Sequence, residues 1–512
     1  MADYLKKVVL GAGILAIFSI AGSFLGYLMR FVMIANLSVS DYGLFYSSLA
    51  LIGIIFLFRS LGLAQGLTYH ISEFAARGKN SKIKPAVFAS IAMQAIPTLI
   101  LVSFAFIFSD YLSINYLKLS GAEIAKGALV IKILALTTIL QIIYNTWQSL
   151  FLGFQSMKNY ALVDFSRAAG WLIFTTVFLY MGFSYLAPAI GYFFSYVASI
   201  LIFSPFAIKK IPRGGKAIDA KLAKSLIIYG MPIMVSSVAG LIIGYTDTAI
   251  ITLFWALEDV GIYQTAQPTA SMIWFAAGAL AAALFPIVTE LKTKDRPALS
   301  KGISMIYRYI GILLLPASLM AFAFSEEILA LFFGYPYTLG SGVLKILAVG
   351  GIFIAIANIN GTVLNGLGKP KIYTKVVWIG AMINLALNLL LIPKIGIEGA
   401  AIATLLSYFA MMVWSFRELK KFIEPSLPVM DWAKTIASGI IALGALYIAK
   451  SALSLNIYLE VAICFSVFMA VFGALIFALK AISLKEVFSI AEQIGLGAII
   501  KPIKKLKIFR EI

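Results

Sequence analysis

The sequence predicts an all-α integral membrane protein of about fourteen transmembrane helices, and three observations carry that reading. Apolar residues make up 62% of the chain and mean hydropathy is +0.98, where soluble domains hold roughly 45–50% apolar residues. Apolar runs of about 18 residues or more, the length a bilayer demands, recur from end to end. Lysine and arginine crowd into alternate connections between those runs. A single large water-soluble core is excluded.

The predicted spans are 8–35, 43–72, 85–108, 128–153, 160–181, 185–207, 226–253, 262–289, 303–324, 343–365, 372–392, 398–416, 432–450 and 457–480. The first apolar run reaches from Val8 to Leu37. It is too long for a signal-peptide core and no small-residue cleavage site follows it, so it is expected to stay as the first helix. One set of connections holds Lys6 and Lys7, then Arg77, Lys79, Lys82 and Lys84, then Lys158, and later the lysines and arginines of 209–224, 292–301, 369–375, 417–434 and from Lys480 onward. The other set holds only Lys118, Lys126, Lys394 and Lys450. The positive-inside rule puts the first set in the cytoplasm, with both termini, of a cytoplasmic (inner) membrane. The net charge of +19 therefore sets topology, and no nucleic-acid partner is implied. Cys464 and His70 are each the only residue of their kind, which argues against a disulfide framework, a cysteine-based zinc site or another metal centre. Two basic segments, 211–225 and 483–512, carry apolar residues among lysines and read as amphipathic helices lying on membrane lipids.

The chain repeats itself. A shift of 218 residues sets Ser19, Gly22, Gly26, Tyr27, Asp41 and Gly43 on Ser237, Gly240, Gly244, Tyr245, Asp259 and Gly261. A shift of 213 sets Lys132, Asn145, Gly153 and Tyr160 on Lys345, Asn358, Gly366 and Tyr373. Helices 1–6 thus resemble helices 7–12. The expected organisation is an N-lobe (1–210), a linker (211–225), a C-lobe (226–420), two further helices (430–482) and a basic tail (483–512). Two six-helix repeats should enclose a central cavity, an arrangement suited to alternating access.

A charge at a helix centre costs about 2.5–3.5 kcal/mol on insertion scales, so such a residue should face protein or water. Arg30 ends a small, polar face of the first helix (Ser19, Gly22, Ser23, Gly26), and Arg59 lies on a similar face of the second with Gly62, Gly66, His70 and Glu73. Both are candidate cavity cations; Arg30 could instead pair with Asp247 in the seventh helix. Arg167 follows Asp164 by three residues, which suits a local ion pair and a substrate contact equally. Arg308 begins the ninth span and is expected to snorkel. Amides share faces: Gln141, Asn145 and Gln148; Gln264 and Gln267; Asn358 and Asn365. They suit sugar hydroxyls and helix cross-links alike. Pro97 and Pro316 fall mid-span in repeat-equivalent helices, as hinges or as shape.

Ser40-Asp41-Tyr42-Gly43-Leu44-Phe45, Arg59-Ser60-Leu61-Gly62-Leu63 and Leu364-Asn365-Gly366-Leu367-Gly368-Lys369-Pro370-Lys371, taken with the span pattern, resemble the polysaccharide transporter branch of the multidrug/oligosaccharidyl-lipid/polysaccharide exporter superfamily. That branch holds the Wzx-type O-antigen flippases and, more distantly, the lipid II flippase MurJ. The resemblance implies a flippase for a polyprenyl-linked oligosaccharide, with cavity arginines on helices 1 and 2, where Arg30 and Arg59 match. It implies membrane lipids as surroundings, and glycan polymerases or glycosyltransferases as partners. No GxxxxGK[ST] motif is present, so no cofactor is expected. Ion coupling would fall to Asp247, Glu73 or Glu290. The competing readings are a cation-coupled multidrug antiporter of the same superfamily and a membrane glycosyltransferase or ligase.

Overall fold

The computed structural model describes residues 2–60, 62–212, 220–452, 456–483 and 486. Among them no strand occurs. Most of the basic tail (484–485 and 487–512) and part of the linker (213–219) lie outside the described residues, so the amphipathic helices expected there are not described.

Sixteen α-helices follow in order. They are α1 (Ala2–Asn36), α2 (Val39–Ile55), α3 (Leu63–Ala76), α4 (Ile83–Ile107), α5 (Ser109–Asn115), α6 (Glu123–Gly153), α7 (Met157–Tyr180) and α8 (Ala187–Lys210). Then come α9 (Ala220–Phe254), α10 (Leu257–Lys294), α11 (Arg296–Ala323), α12 (Ser325–Phe333), α13 (Ser341–Gly366), α14 (Pro370–Leu419), α15 (Val429–Ala452) and α16 (Ile457–Ala478). Among the described residues eleven are long and apolar enough to cross a membrane, and the chain is a multi-pass membrane protein.

Part of the difference from fourteen has physical reasons, while α10, over the eighth predicted span, is not among the eleven. The second predicted span is two short helices, α2 and α3, separated by turns. The eleventh and twelfth spans are one fifty-residue helix, α14, interrupted where Ile395 and Gly396 leave helical geometry. Gly396 has φ +61°, and the Trp255 indole packs against it while donating to the Ile392 carbonyl at 2.7 Å. Pro97 and Pro316 do sit inside α4 and α11.

The chain divides into two compact units. The first holds Met1–Gln267, Phe332–Val343 and Thr374–Ser407; the second holds Pro268–Leu331, Leu344–Tyr373 and Tyr408–Ile512. In the first unit α7 packs on α1 and α8, α6 on α4 and α8, and α2 and α3 both pack along α9. Its core includes Leu63, Leu67, Ile71, Tyr144, Trp147, Phe151 and Leu226. In the second unit α15 packs on α11 and α16, around Phe324, Leu446, Cys464, Phe468 and Phe472.

The internal repeat has a local structural counterpart in the first unit. A Cβ on Gly43 would stand 1.8 Å from the Leu257 carbonyl oxygen, and one on Gly261 would stand 2.5 Å from that of Val39. Val39 and Leu257 are themselves related by the shift of 218. The contact is therefore reciprocal: each repeat's glycine admits the other repeat's backbone. Asp41 and Asp259 likewise do the same work in each repeat. Asp41 accepts from the Ser38 hydroxyl at 2.8 Å, and Asp259 accepts from the Ala256 backbone N–H at 3.1 Å. Each reaches back three residues to fix a helix start.

Candidate functional site

The break between α2 and α3 places Arg59. After Ile55 the backbone tightens into i→i+3 bonds, Leu57 N–H to Ile54, Arg59 N–H to Phe56 and Leu63 N–H to Ser60. Such turns interrupt a helix without abandoning its hydrogen bonds. Gly62, at φ +72°, then starts α3, and its Cβ position is filled by the Gly230 carbonyl of α9, 2.2 Å away. Only glycine meets both demands. Irregular backbone at membrane depth is tolerated where protein or a cavity covers it.

Arg59 projects from this break. Its Nη1 donates to the Thr138 carbonyl at 2.6 Å and its Nη2 to the Gln141 side-chain oxygen. Both acceptors are on α6. A cavity of about 250 Å³ opens beside them, lined also by Asn145, Tyr192 and Tyr245. Arg30, near the end of α1, donates from Nη1 to the Tyr42 hydroxyl at 3.0 Å and to the Gln264 carbonyl at 2.5 Å. Its guanidinium lies 4.7 Å from the centre of the Tyr46 ring. These partners of Arg30 and Arg59 are all neutral.

Asp247 is buried in α9 and does not hold Arg30; the pair that the sequence allowed is replaced by a second neutral network. The Tyr263 hydroxyl and the Asn388 amide each donate to its carboxylate at 2.6 Å, and the Thr404 hydroxyl does so at 2.9 Å. Asn384 extends the cluster, accepting from Asn388 and from Thr246 and donating to Thr404, each at 3.1 Å.

Most other candidates meet partners on their own or an adjacent helix. Arg167 forms an ion pair with Asp164 at 2.9 Å. The Tyr144 hydroxyl donates to the same carboxylate at 2.9 Å, and Gln148 donates to Tyr144 at 3.0 Å. The amide face of α6 is thus shared: Gln141 and Asn145 line the cavity, while Gln148 braces the Arg167 pair. Glu73 pairs with Arg77 at 2.8 Å, and His70 Nδ1 stands 3.5 Å from it. The Gln264 side chain donates to Thr248 at 2.6 Å. Gln267 and Glu290 lie in α10 and are both engaged within the protein. In the second unit Asn358 accepts from the Tyr373 hydroxyl at 3.0 Å, and Asn365 is exposed near the end of α13. Arg308 does more than snorkel: it contacts Glu486 at 2.9 Å and Asp431 at 3.2 Å.

The sequence reading missed Tyr42, Tyr263, Asn384, Asn388 and Thr404. Asn384 and Asn388 were detectable as an i, i+4 pair of amides inside an apolar span. Nothing in the pattern distinguished Thr404 or the two tyrosines from ordinary helix-packing residues.

Comparison with known proteins bears on the family and the fold. The family model described as polysaccharide biosynthesis protein matches residues 8–292, and the MatE model matches 232–390. An uncharacterized membrane protein of Methanocaldococcus jannaschii is 31% identical, over 92% of this chain and 95% of its own. The probable low-salt glycan biosynthesis flippase Agl15 of Haloferax volcanii is 28% identical, over 86% of this chain and 90% of its own. Among solved structures, the lipid II flippase MurJ in an inward closed conformation aligns with TM-score 0.74 at 15% identity, covering 90% of this chain and 98% of that one. This last likeness is one of fold. With more than half its length matched by the family model, the chain belongs to the polysaccharide biosynthesis protein family of the multidrug/oligosaccharidyl-lipid/polysaccharide exporter superfamily.

Proposed function

We propose that the protein is a flippase that moves a polyprenyl-phosphate- or pyrophosphate-linked oligosaccharide from the cytoplasmic to the outer leaflet by alternating access. One observation carries this reading: Arg30 and Arg59 are held in membrane-embedded segments by neutral acceptors. Their charge is left for an anionic head group, and a phosphate ester in a low-dielectric cavity is the ligand such cations favour. The flippase name of the Haloferax relative supports the same class of substrate. Outward movement of one negative charge down an inside-negative potential gains about 2.3 kcal/mol per 100 mV, so the transfer needs no nucleotide.

In this reading the membrane is the cytoplasmic one with both termini inside, as the loop charges indicate, and the protein performs transport without covalent chemistry. Residues 1–210 and 226–420 act as the two lobes, with 430–482 as an addition. Glycan polymerases or glycosyltransferases are its working neighbours. Asp247 is the ion-coupling group, since its carboxylate is buried among neutral donors. Glu73 serves its ion pair with Arg77 instead.

The MatE match and the buried Asp247 favour a second reading, a cation-coupled multidrug antiporter. Reconstitution in liposomes separates the two. A labelled polyprenyl-pyrophosphate oligosaccharide should reach the opposite leaflet with the wild type and not with Arg59→Ala. Uptake of small organic cations without glycolipid transfer would establish the antiporter.

A further inference from the structure

We infer that Gln141 is a displaceable stand-in for the substrate's phosphate oxygen. Its side-chain amide holds Arg59, and an anionic phosphate ester takes its place on binding. This rests on the flippase reading and deepens it, because it names the residue that sets how tightly Arg59 holds its anion.

Thr138 and Gln141 are three residues apart on α6 and so share a face. Together they present two oxygens to one guanidinium. A two-oxygen acceptor facing a planar fork is the pairing that a carboxylate or phosphate makes with arginine. The two oxygens differ in freedom. The Thr138 oxygen is main chain within a continuous helix and stays where it is. The Gln141 oxygen ends a flexible side chain that is half-buried at the cavity wall. Arg59 itself springs from turns outside regular helix, so it can follow a ligand.

The two oxygens also differ from the ligand's in charge. An amide oxygen is neutral, whereas a phosphate oxygen is anionic and makes hydrogen bonds roughly twice as strong. Exchange of Gln141 for phosphate is therefore favourable, and exchange for a neutral sugar hydroxyl gains nothing. Gln141 thus selects for the charged end of the lipid carrier. It also competes with bound substrate, and returns Arg59 to its neutral partners once the head group leaves. A cation without such a competitor would bind its anion tightly and release it slowly.

The test uses the full-length protein in nanodiscs and a short-chain polyprenyl pyrophosphate as probe. The corresponding neutral polyprenyl glycoside and inorganic pyrophosphate form two further arms. Gln141→Leu should bind the lipid probe about tenfold more tightly, the scale of one charge-assisted hydrogen bond no longer given up, and should turn over more slowly in liposomes. Gln141→Glu should pair with Arg59 and lose the probe, then regain it as pH falls and the new carboxylate is protonated; a merely structural glutamine would not give that pH profile. Gln141→Asn, too short to reach Arg59, should behave as Gln141→Leu, and covers the case in which the leucine variant fails to fold. Unchanged or weaker affinity in folded Gln141→Leu or Gln141→Asn would overturn the inference while leaving Arg59 as the anion site. Wild type that binds neither pyrophosphate probe, or whose binding survives Arg59→Ala, would overturn the anion-site reading itself and this inference with it. Equal gains in Gln141→Leu for the neutral glycoside would overturn the selection for charge.

Discussion

Arg59 in the first unit and Arg308 in the second are both arginines in apolar, membrane-length surroundings, yet their partners differ in kind. Arg308 meets two carboxylates, Asp431 at the start of α15 and Glu486 beyond α16, with its side chain 20% exposed. It also donates from Nε to the Ala481 carbonyl at 3.1 Å. Its charge is cancelled, and the contacts tie α15 and the residues after α16 to α11. Lys450 does the same from α15 by pairing with Glu327 of α12. Among the described residues Arg59 and Arg30 meet carbonyls, an amide oxygen and phenol groups, with no carboxylate at hydrogen-bond distance. These hydrogen bonds leave both guanidinium charges unneutralised. In the proposed function, partner charge is what separates a structural arginine from one whose charge remains for a ligand, where residue type alone does not.

The largest effect expected from this contrast is on transport. Arg59→Ala should lower glycolipid transfer roughly a hundredfold, from about 3 kcal/mol of lost charge-assisted contacts, with little change in thermal stability. Arg30→Ala should act in the same direction. Both are read by leaflet transfer in liposomes beside a melting curve. If Arg59→Ala instead unfolds the protein while transport per folded molecule persists, Arg59 is structural and the contrast fails.

Arg308→Ala should show the reverse pattern. It leaves Asp431 and Glu486 without their cation in a partly buried site, at a cost of about 1–3 kcal/mol, between the exposed and buried limits for ion pairs. The melting temperature should fall by several degrees while transfer per folded molecule stays near wild type. Arg308→Leu combined with Glu486→Gln should recover part of the loss, since fewer charges are then stranded. A transport defect without a stability defect would place Arg308 with Arg59.

Asp247 tests the same rule with the sign reversed, as an anion held by neutral donors. Asp247→Asn keeps the shape, and the Tyr263 and Thr404 hydroxyls can reorient to suit an amide. The fold should hold, and the dependence of transfer on an imposed proton or sodium gradient should vanish. Measured rates with and without each gradient decide it. A gradient response unchanged in the variant would leave Asp247 as part of a packing network.

The helical membrane fold was legible in the sequence because hydrophobic run length is a local property. The duplication was legible too, because Gly43 and Gly261 must both be glycine for the reciprocal approach to Leu257 and Val39. Arg30, Arg59 and Asp247 stood out as charges in apolar spans. Their partners did not, because a sequence shows where a charge lies along its own helix and not which distant carbonyl meets it. The Arg30 partner in α10 is a main-chain oxygen, which any residue at position 264 would offer. The helix break at Arg59 was also hidden: it follows an unbroken apolar run, and only the φ of Gly62 and the close approach of Gly230 reveal it. The α14 interruption at Ile395 and Gly396 falls between the predicted spans 372–392 and 398–416, and Pro393 and Gly396 mark it in the sequence.

The smallest predicted effect probes the structural side of the contrast through pH. Burial by itself raises the Glu486 carboxyl, but the Ser483 backbone N–H and the Arg308 guanidinium outweigh it and hold the group below its ordinary range. A carboxyl depressed in the folded state contributes stability above its unfolded value. That contribution fades as pH falls from about 4.3, the ordinary glutamate value, through the lower folded-state value. Glu486→Gln should therefore be slightly less stable than wild type at neutral pH, and the two melting temperatures should converge below about pH 4. The gap is expected to be small, because the site is partly open to solvent and screened. A gap that persists undiminished into acid would mean that Glu486 acts by packing, and that Asp431 alone supplies the carboxylate that matters to Arg308.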